Sequence, residues 1–168
     1  MQKFIGIVLF LCAVVLLGYK VSQKFILRCN FLKSYLNFIK YIENESKYTR
    51  DVIYELVNNY FCKDEMSDFL KLFRENFEKG KLLDESWLLA LEKIKSKYYL
   101  NKEDYRAIYN FGFNLGKSDL EGQIANCELA FSLAKRQFLK AEEEKNTKSR
   151  LYFILSLFLG LSVLLLIL

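Results

Sequence analysis

Two stretches at opposite ends of the chain carry no charged side chain: FIGIVLFLCAVVLLGY from Phe4 to Tyr19, and LYFILSLFLGLSVLLLIL from Leu151 to Leu168. Runs this apolar need somewhere to bury their surface, and both are expected to be transmembrane helices. Each is near the lower length limit for crossing about 30 Å of hydrocarbon, so Lys20 and Arg150 are expected to reach back toward the lipid headgroups. The chain of 168 residues then divides into an N-terminal span over 1–20, one domain over 21–149 and a C-terminal span over 150–168. A cleaved secretory leader is disfavoured. No A-x-A-like site follows the first run, its basic region is only Lys3, and the apolar pattern continues into KVSQKFILRCNFLKSYLNFI. A lipoprotein signal fails because Leu11, which is not small, precedes Cys12.

Cations lie on the inner flanks of both runs. Lys20, Lys24, Arg28 and Lys33 follow the first, Lys140, Lys145, Lys148 and Arg150 precede the second, and the outer flanks offer only Lys3. The positive-inside rule therefore places 21–149 in the cytoplasm. Four cysteines without C-x-x-C spacing agree with a reducing compartment, and they read as small buried apolar residues.

Between the ends there is no proline and no low-complexity run, and apolar residues recur with helical period. One stripe joins Phe25, Cys29, Leu32, Leu36, Ile39 and Ile42. Others join Val52, Ile53, Leu56, Val57 and Tyr60; Phe69, Leu70, Phe73 and Phe77; Trp87, Leu88, Leu91 and Ile94; Tyr105 to Leu115; and Ile124, Cys127, Phe131, Ala134, Phe138 and Ala141. The expected fold is all-α, a bundle of about six helices flanked by the two spans.

Gly116-Lys117-Ser118 resembles the end of a phosphate-binding loop, G-x-x-x-x-G-K-[ST]. The first glycine would have to stand at position 111, which is Phe111, and the nearest glycine, Gly112, is one residue too close. The preceding residues also have helical rather than strand spacing. A helix-to-helix joint explains the residues better, with Gly116 as a left-handed C-terminal residue, Ser118 and Glu121 forming an S-x-x-E capping box, and Asp119 adding charge to the first turn. The acidic pairs Asp64/Glu65, Asp84/Glu85, Glu103/Asp104 and Asp119/Glu121 all fall in or beside expected first turns, where carboxylates cap amides. Glu142 to Glu144 read as a solvated helix face, with Glu144 four residues before Lys148. The chain has no histidine, which removes the usual general base and the commonest metal ligand. A net charge of +5 with many Tyr and Phe could suggest nucleic acid, but the aromatics fall on the apolar stripes and read as core.

The leading apolar helix with ILRCNFLKSYLNFIKYIENES, the segment KGKLLDESWLLAL, the joint LGKSDLEGQIANCELA and the tail NTKSRLYFILSLFLGLSVLLLIL together resemble the stage III sporulation protein AB family of endospore-forming bacteria. The resemblance implies no enzyme and no cofactor. It implies a multi-pass component of the mother-cell membrane facing the forespore, in the channel complex that links the two cells. Its helical bundle would be similar to the inner-membrane platforms of type II secretion and type IV pilus machines. Partners implied are a secretion-type ATPase, the stage III sporulation protein AA, other membrane components of the complex and the lipid bilayer, with no nucleic acid and no small-molecule substrate. The alternative is a small transporter or channel subunit built from oligomerised spans, but the end runs offer only Cys12, Ser156 and Ser162 besides apolar residues and glycine. For the ATPase, the expected docking residues lie in two joints. Lys79, Lys81, Asp84 and Glu85 flank the break at Gly80, with Asp84 capping the next helix beside Trp87; Gly116, Ser118, Asp119 and Gln123 form the second.

Overall fold

The chain is seen in a computed structural model that describes residues 2–48 and 53–167, with side chains described except at 2–5, 7–11 and 164–167. Val52, assigned above to the second stripe, lies outside the described residues. All regular structure among them is helical: α1 (Gln2–Tyr48), α2 (Ile53–Asn59), α3 (Met66–Glu78), α4 (Leu83–Ile94), α5 (Lys102–Asn114), α6 (Leu120–Glu144), a π-helical turn (Lys145–Ser149) and α7 (Arg150–Ile167). Two compact units form, one from 1–29 with 140–168 and one from 30–139.

The transmembrane helices expected at the ends are corrected by the structure. Among the described residues no helix is long and apolar enough to cross a membrane. α1 is long, but its apolar run is short. At roughly 1.5 Å per residue the charge-free run 4–19 rises about 24 Å and α7, with 18 residues, about 27 Å, both under the ~30 Å hydrocarbon core. The multi-pass topology falls with the spans, and the cytoplasmic placement of 21–149 loses its basis.

In the unit formed by 1–29 and 140–168 the two ends of the chain pair with each other. A side chain on Gly18 would meet Ser156 Oγ at 2.0 Å, so only a residue without Cβ permits this approach. Phe25 stacks on Tyr152 with centroids 5.9 Å apart and rings 5° from parallel. Ser22 and Ser149 share a 2.5 Å hydrogen bond between hydroxyls, and the Arg28 guanidinium donates to Glu144 at 2.5 Å. Lys148, 2.7 Å from Glu144 on its other oxygen, together with Arg28 holds that carboxyl below the usual range. One surface stays apolar: on α7, Leu151, Leu155, Phe158, Leu159 and Leu161 are all exposed.

In the unit formed by 30–139, α1 is the central helix. The expected stripe is buried from Leu32 to Ile42, and so are Phe31, Tyr35 and Phe38 beside its members. A helix apolar around most of its circumference belongs inside a bundle rather than on its surface. Against it α3 packs on α4 and α4 on α5. Trp87 of α4 is ringed by Phe38, Phe69, Phe73 and Phe111, with centroid distances of 6.0, 4.5, 6.0 and 5.7 Å. Edge-to-face arrangements of this kind add to the area term, and truncating Phe38 to alanine would cost roughly 3–5 kcal/mol.

Local chemistry sets the element ends. Arg74 of α3 closes the short α2 by donating to the carbonyls of Asn58 and Tyr60 at 3.0 and 2.9 Å, meeting acceptors that the helix end leaves unpaired. Asn101 and Asp104 form a reciprocal capping box at the start of α5, each side chain accepting from the other's backbone N–H at 2.8–2.9 Å.

Candidate functional site

The two joints singled out in the sequence are built differently. After α3 the chain closes in a Schellman motif: Gly80 N–H donates to the Phe77 carbonyl at 2.9 Å and Lys81 N–H to Asn76 at 3.4 Å. Gly80 sits at φ +82°, where a Cβ would be strained. Leu82 is then extended, with φ −64° and ψ 158°, and α4 begins at Leu83. This corrects the expected cap. Asp84 stands inside the first turn, its carboxylate accepting from the Glu85 N–H at 2.9 Å, and the N-cap position belongs to Leu82, which offers no side-chain acceptor.

After α5 the chain turns at Gly116, φ +76°, as the left-handed expectation required. The capping box of Ser118 and Glu121 does not form. Because α6 starts at Leu120, the adjacent and charged Asp119 takes the cap and accepts from the Gly122 N–H at 3.0 Å. Ser118 Oγ instead accepts from the Gln123 amide at 2.9 Å, and that amide nitrogen also reaches the Asn114 carbonyl at 3.4 Å.

A residue between the expected ones joins the two segments. Lys117 Nζ lies 2.9 Å from Asp84 Oδ2, so the joint after α5 is tied to the start of α4. The same ammonium stands 3.6 Å from the centroid of the Phe113 ring. Lys117, more than any other neighbour, holds the Asp84 carboxyl below the usual carboxylate range. Lys81 pairs with Glu85 at 2.9 Å across one helical turn. Around these charges large apolar side chains face solvent: Leu82 is 72% exposed, Phe113 46% and Leu120 51%. Between α4 and α5 lies a cavity of about 220 Å³, lined by Asp84, Glu85, Trp87, Leu88, Tyr109 and Phe113.

Of the expected docking residues, Lys79, Glu85, Gly116, Ser118 and Asp119 are exposed, while Lys81 and Asp84 are half-buried. Two are interior. Gln123 is buried under the second joint, and Trp87 is 1% exposed, its indole N–H donating to the Ile108 carbonyl at 3.0 Å. Trp87 is thus a core residue that meets the surface only as a wall of the cavity. Sequence reasoning passed over Lys117 as a docking residue, and over Tyr109 and Phe113. The i, i+4 spacing of Tyr109 and Phe113 was a signal, since it stacks their rings at 5.9 Å on the outer side of α5.

The chemistry offered is recognition by apolar surface and paired charge. The chain contains no histidine, and among the described residues no group of three His, Cys, Asp or Glu side chains could hold a metal ion. Gly112 is packed inside α5 against Trp87, so the Gly-Lys-Ser triplet is not arranged as a phosphate cradle. The sequence model of the stage III sporulation protein AB family matches residues 3–168, nearly the whole chain. No curated protein and no solved structure matches it.

Proposed function

We propose, from the premise that this chain belongs to the stage III sporulation protein AB family, that it is a non-enzymatic platform of the mother cell–forespore channel complex and docks the complex's secretion-type ATPase. Membership of the family gives a role in sporulation and suggests association with a membrane. The apolar surface of α7 supports attachment at a membrane, since contiguous exposed apolar area marks contact with lipid or protein.

The observation that supports docking here is the Asp84–Lys117 pair, which ties the joint after α5 to the start of α4. A patch with exposed Leu82, Phe113 and Leu120 among paired charges has the make-up of a protein contact, apolar anchors with a polar rim. The other components of the complex would be the further partners.

A pull-down of the ATPase by the full chain in detergent tests the proposal. Lys79→Glu with Lys81→Glu should leave helicity and thermal stability nearly unchanged and weaken capture, because rim charges govern complementarity more than fold. Undiminished capture by the reversed variant would reject this surface. Failure of the unmodified chain to capture the ATPase would reject the platform role.

A further inference from the structure

We infer that the cavity between α4 and α5 receives one arginine side chain from the docking partner, and that Lys117 holds the place of that cation while the chain is alone. The inference rests on the docking role proposed above and specifies the chemistry of the contact.

Size comes first. About 220 Å³ is below the roughly 300–1,000 Å³ of pockets that enclose whole cofactors or drug-sized ligands, and suits a single long side chain. The composition of the walls narrows the choice. Trp87, Leu88, Tyr109 and Phe113 supply apolar and aromatic surface, and Asp84 and Glu85 supply carboxylates. In the chain alone those carboxylates are paired, Asp84 with Lys117 and Glu85 with Lys81, and an aliphatic anchor would desolvate both pairs without adding a hydrogen bond. An acidic side chain or a phosphate would have to compete with Asp84 and Glu85 for Lys117 and Lys81. A cation with a long apolar stem satisfies both kinds of wall.

A cation already stands against two of the cavity's wall residues, though Lys117 does not itself line the cavity. The Lys117 ammonium sits between Asp84 Oδ2 at 2.9 Å and the Phe113 ring centroid at 3.6 Å, bound by charge and ring face together. The motif recurs along the same helix pair. Lys95 pairs with Glu92 and lies 5.6 Å from the Tyr105 ring, while the Tyr105 hydroxyl donates to Glu92 at 2.7 Å. Lys117 itself is easily displaced, since its side chain is 46% exposed and half-exposed ion pairs contribute little. An arginine would gain what lysine lacks, because its planar guanidinium can stack on an aromatic face and donate two parallel hydrogen bonds to one carboxylate.

The test uses the full chain in detergent and contains no ATPase. N-acetyl-arginine methylamide and its uncharged citrulline counterpart are titrated separately, and the emission of Trp87, the chain's one tryptophan, reports occupancy of the cavity it lines. The arginine probe should bind in the millimolar range, about tenfold more tightly than citrulline, as expected for one charge-assisted contact. Lys117→Gln should strengthen binding about threefold by removing the competitor. Asp84→Asn, nearly the same shape, should weaken it about tenfold. Equal binding of the two probes, no response to either, or weaker binding by Lys117→Gln would each overturn the inference. Capture of the ATPase alongside any of those results would leave the docking role standing and remove only the arginine site.

Discussion

Gly112 on α5 lies flush against the indole of Trp87 on α4: a methyl group at position 112 would come within 2.1 Å of the ring's Cδ1. Glycine within a helix ordinarily costs about 0.5–1 kcal/mol relative to alanine. Here the sign reverses, because Trp87 is held by Phe38, Phe69, Phe73 and Phe111 and would give up that packing to withdraw. Overpacking of a filled core costs roughly 1–3 kcal/mol, so Gly112→Ala should be destabilised by about 1–2 kcal/mol net. Urea unfolding followed by Trp87 emission measures this, and an alanine variant as stable as the parent would show that the indole can move.

Tyr35 is fully buried, and its hydroxyl has no hydrogen-bond partner among the described residues. Burial pushes its phenol well above the usual range, so the group stays neutral. An unpaired buried hydroxyl costs roughly 1–3 kcal/mol, while the ring, edge-on to Phe111 at 6.2 Å, would remain in Tyr35→Phe. That variant should be as stable as the parent or more stable by about 1 kcal/mol. A clear loss in calorimetric Tm would mean that the hydroxyl is bonded in solution.

The tie between the two joints is measurable as a coupling. Asp84→Ala, Lys117→Ala and the double variant form a cycle whose interaction energy should be about 0.2–1 kcal/mol, the range of exposed pairs. It should shrink as salt rises, given screening over a Debye length near 10 Å at about 0.1 M. Strict additivity at low salt would show that the contact does not persist.

The cysteines set an alkaline limit. Burial pushes the Cys127 thiol up to about 12, with the Glu43 carboxylate adding to the shift, and burial followed by Asp64 pushes Cys62 up to about 11. Both folded values lie above the unfolded thiol value of about 8.5. Their contribution is therefore complete below that pH and is lost as pH rises toward the folded values, because only the unfolded chain gives up the protons. Between about pH 8.5 and the unfolded tyrosine value near 10 the thiols should dominate the decline. Chemical unfolding across that window should show stability falling in the parent and a shallower slope in Cys127→Ala. An identical slope would refute the assignment. At neutral pH the buried Cys127 should alkylate only as fast as the chain opens, while the half-buried Cys62 should react faster.

What the sequence determined is what depends on neighbours along the chain. Helical period in the apolar residues located the helices, Gly80 and Gly116 marked two turns because a positive φ is a property of one residue, and the pair Glu103/Asp104 fell in a first turn as its capping chemistry required. Family membership was likewise legible, from patterns distributed along the whole chain. Tertiary structure decided whatever depends on residues distant in sequence. One stripe on α1 was visible, but burial of Phe31, Tyr35 and Phe38 as well follows from helices packing around α1. Trp87 looked like a surface anchor beside a joint until Phe38, Phe69 and Phe111 enclosed it. Asp84 looked like a cap, but it is the partner of Lys117, 33 residues away. The charge-free ends promised spans by composition, yet crossing a bilayer is a matter of rise as well as apolarity, and the described helices fall short. Periodicity reports which face of a helix is apolar; only packing decides what that face meets.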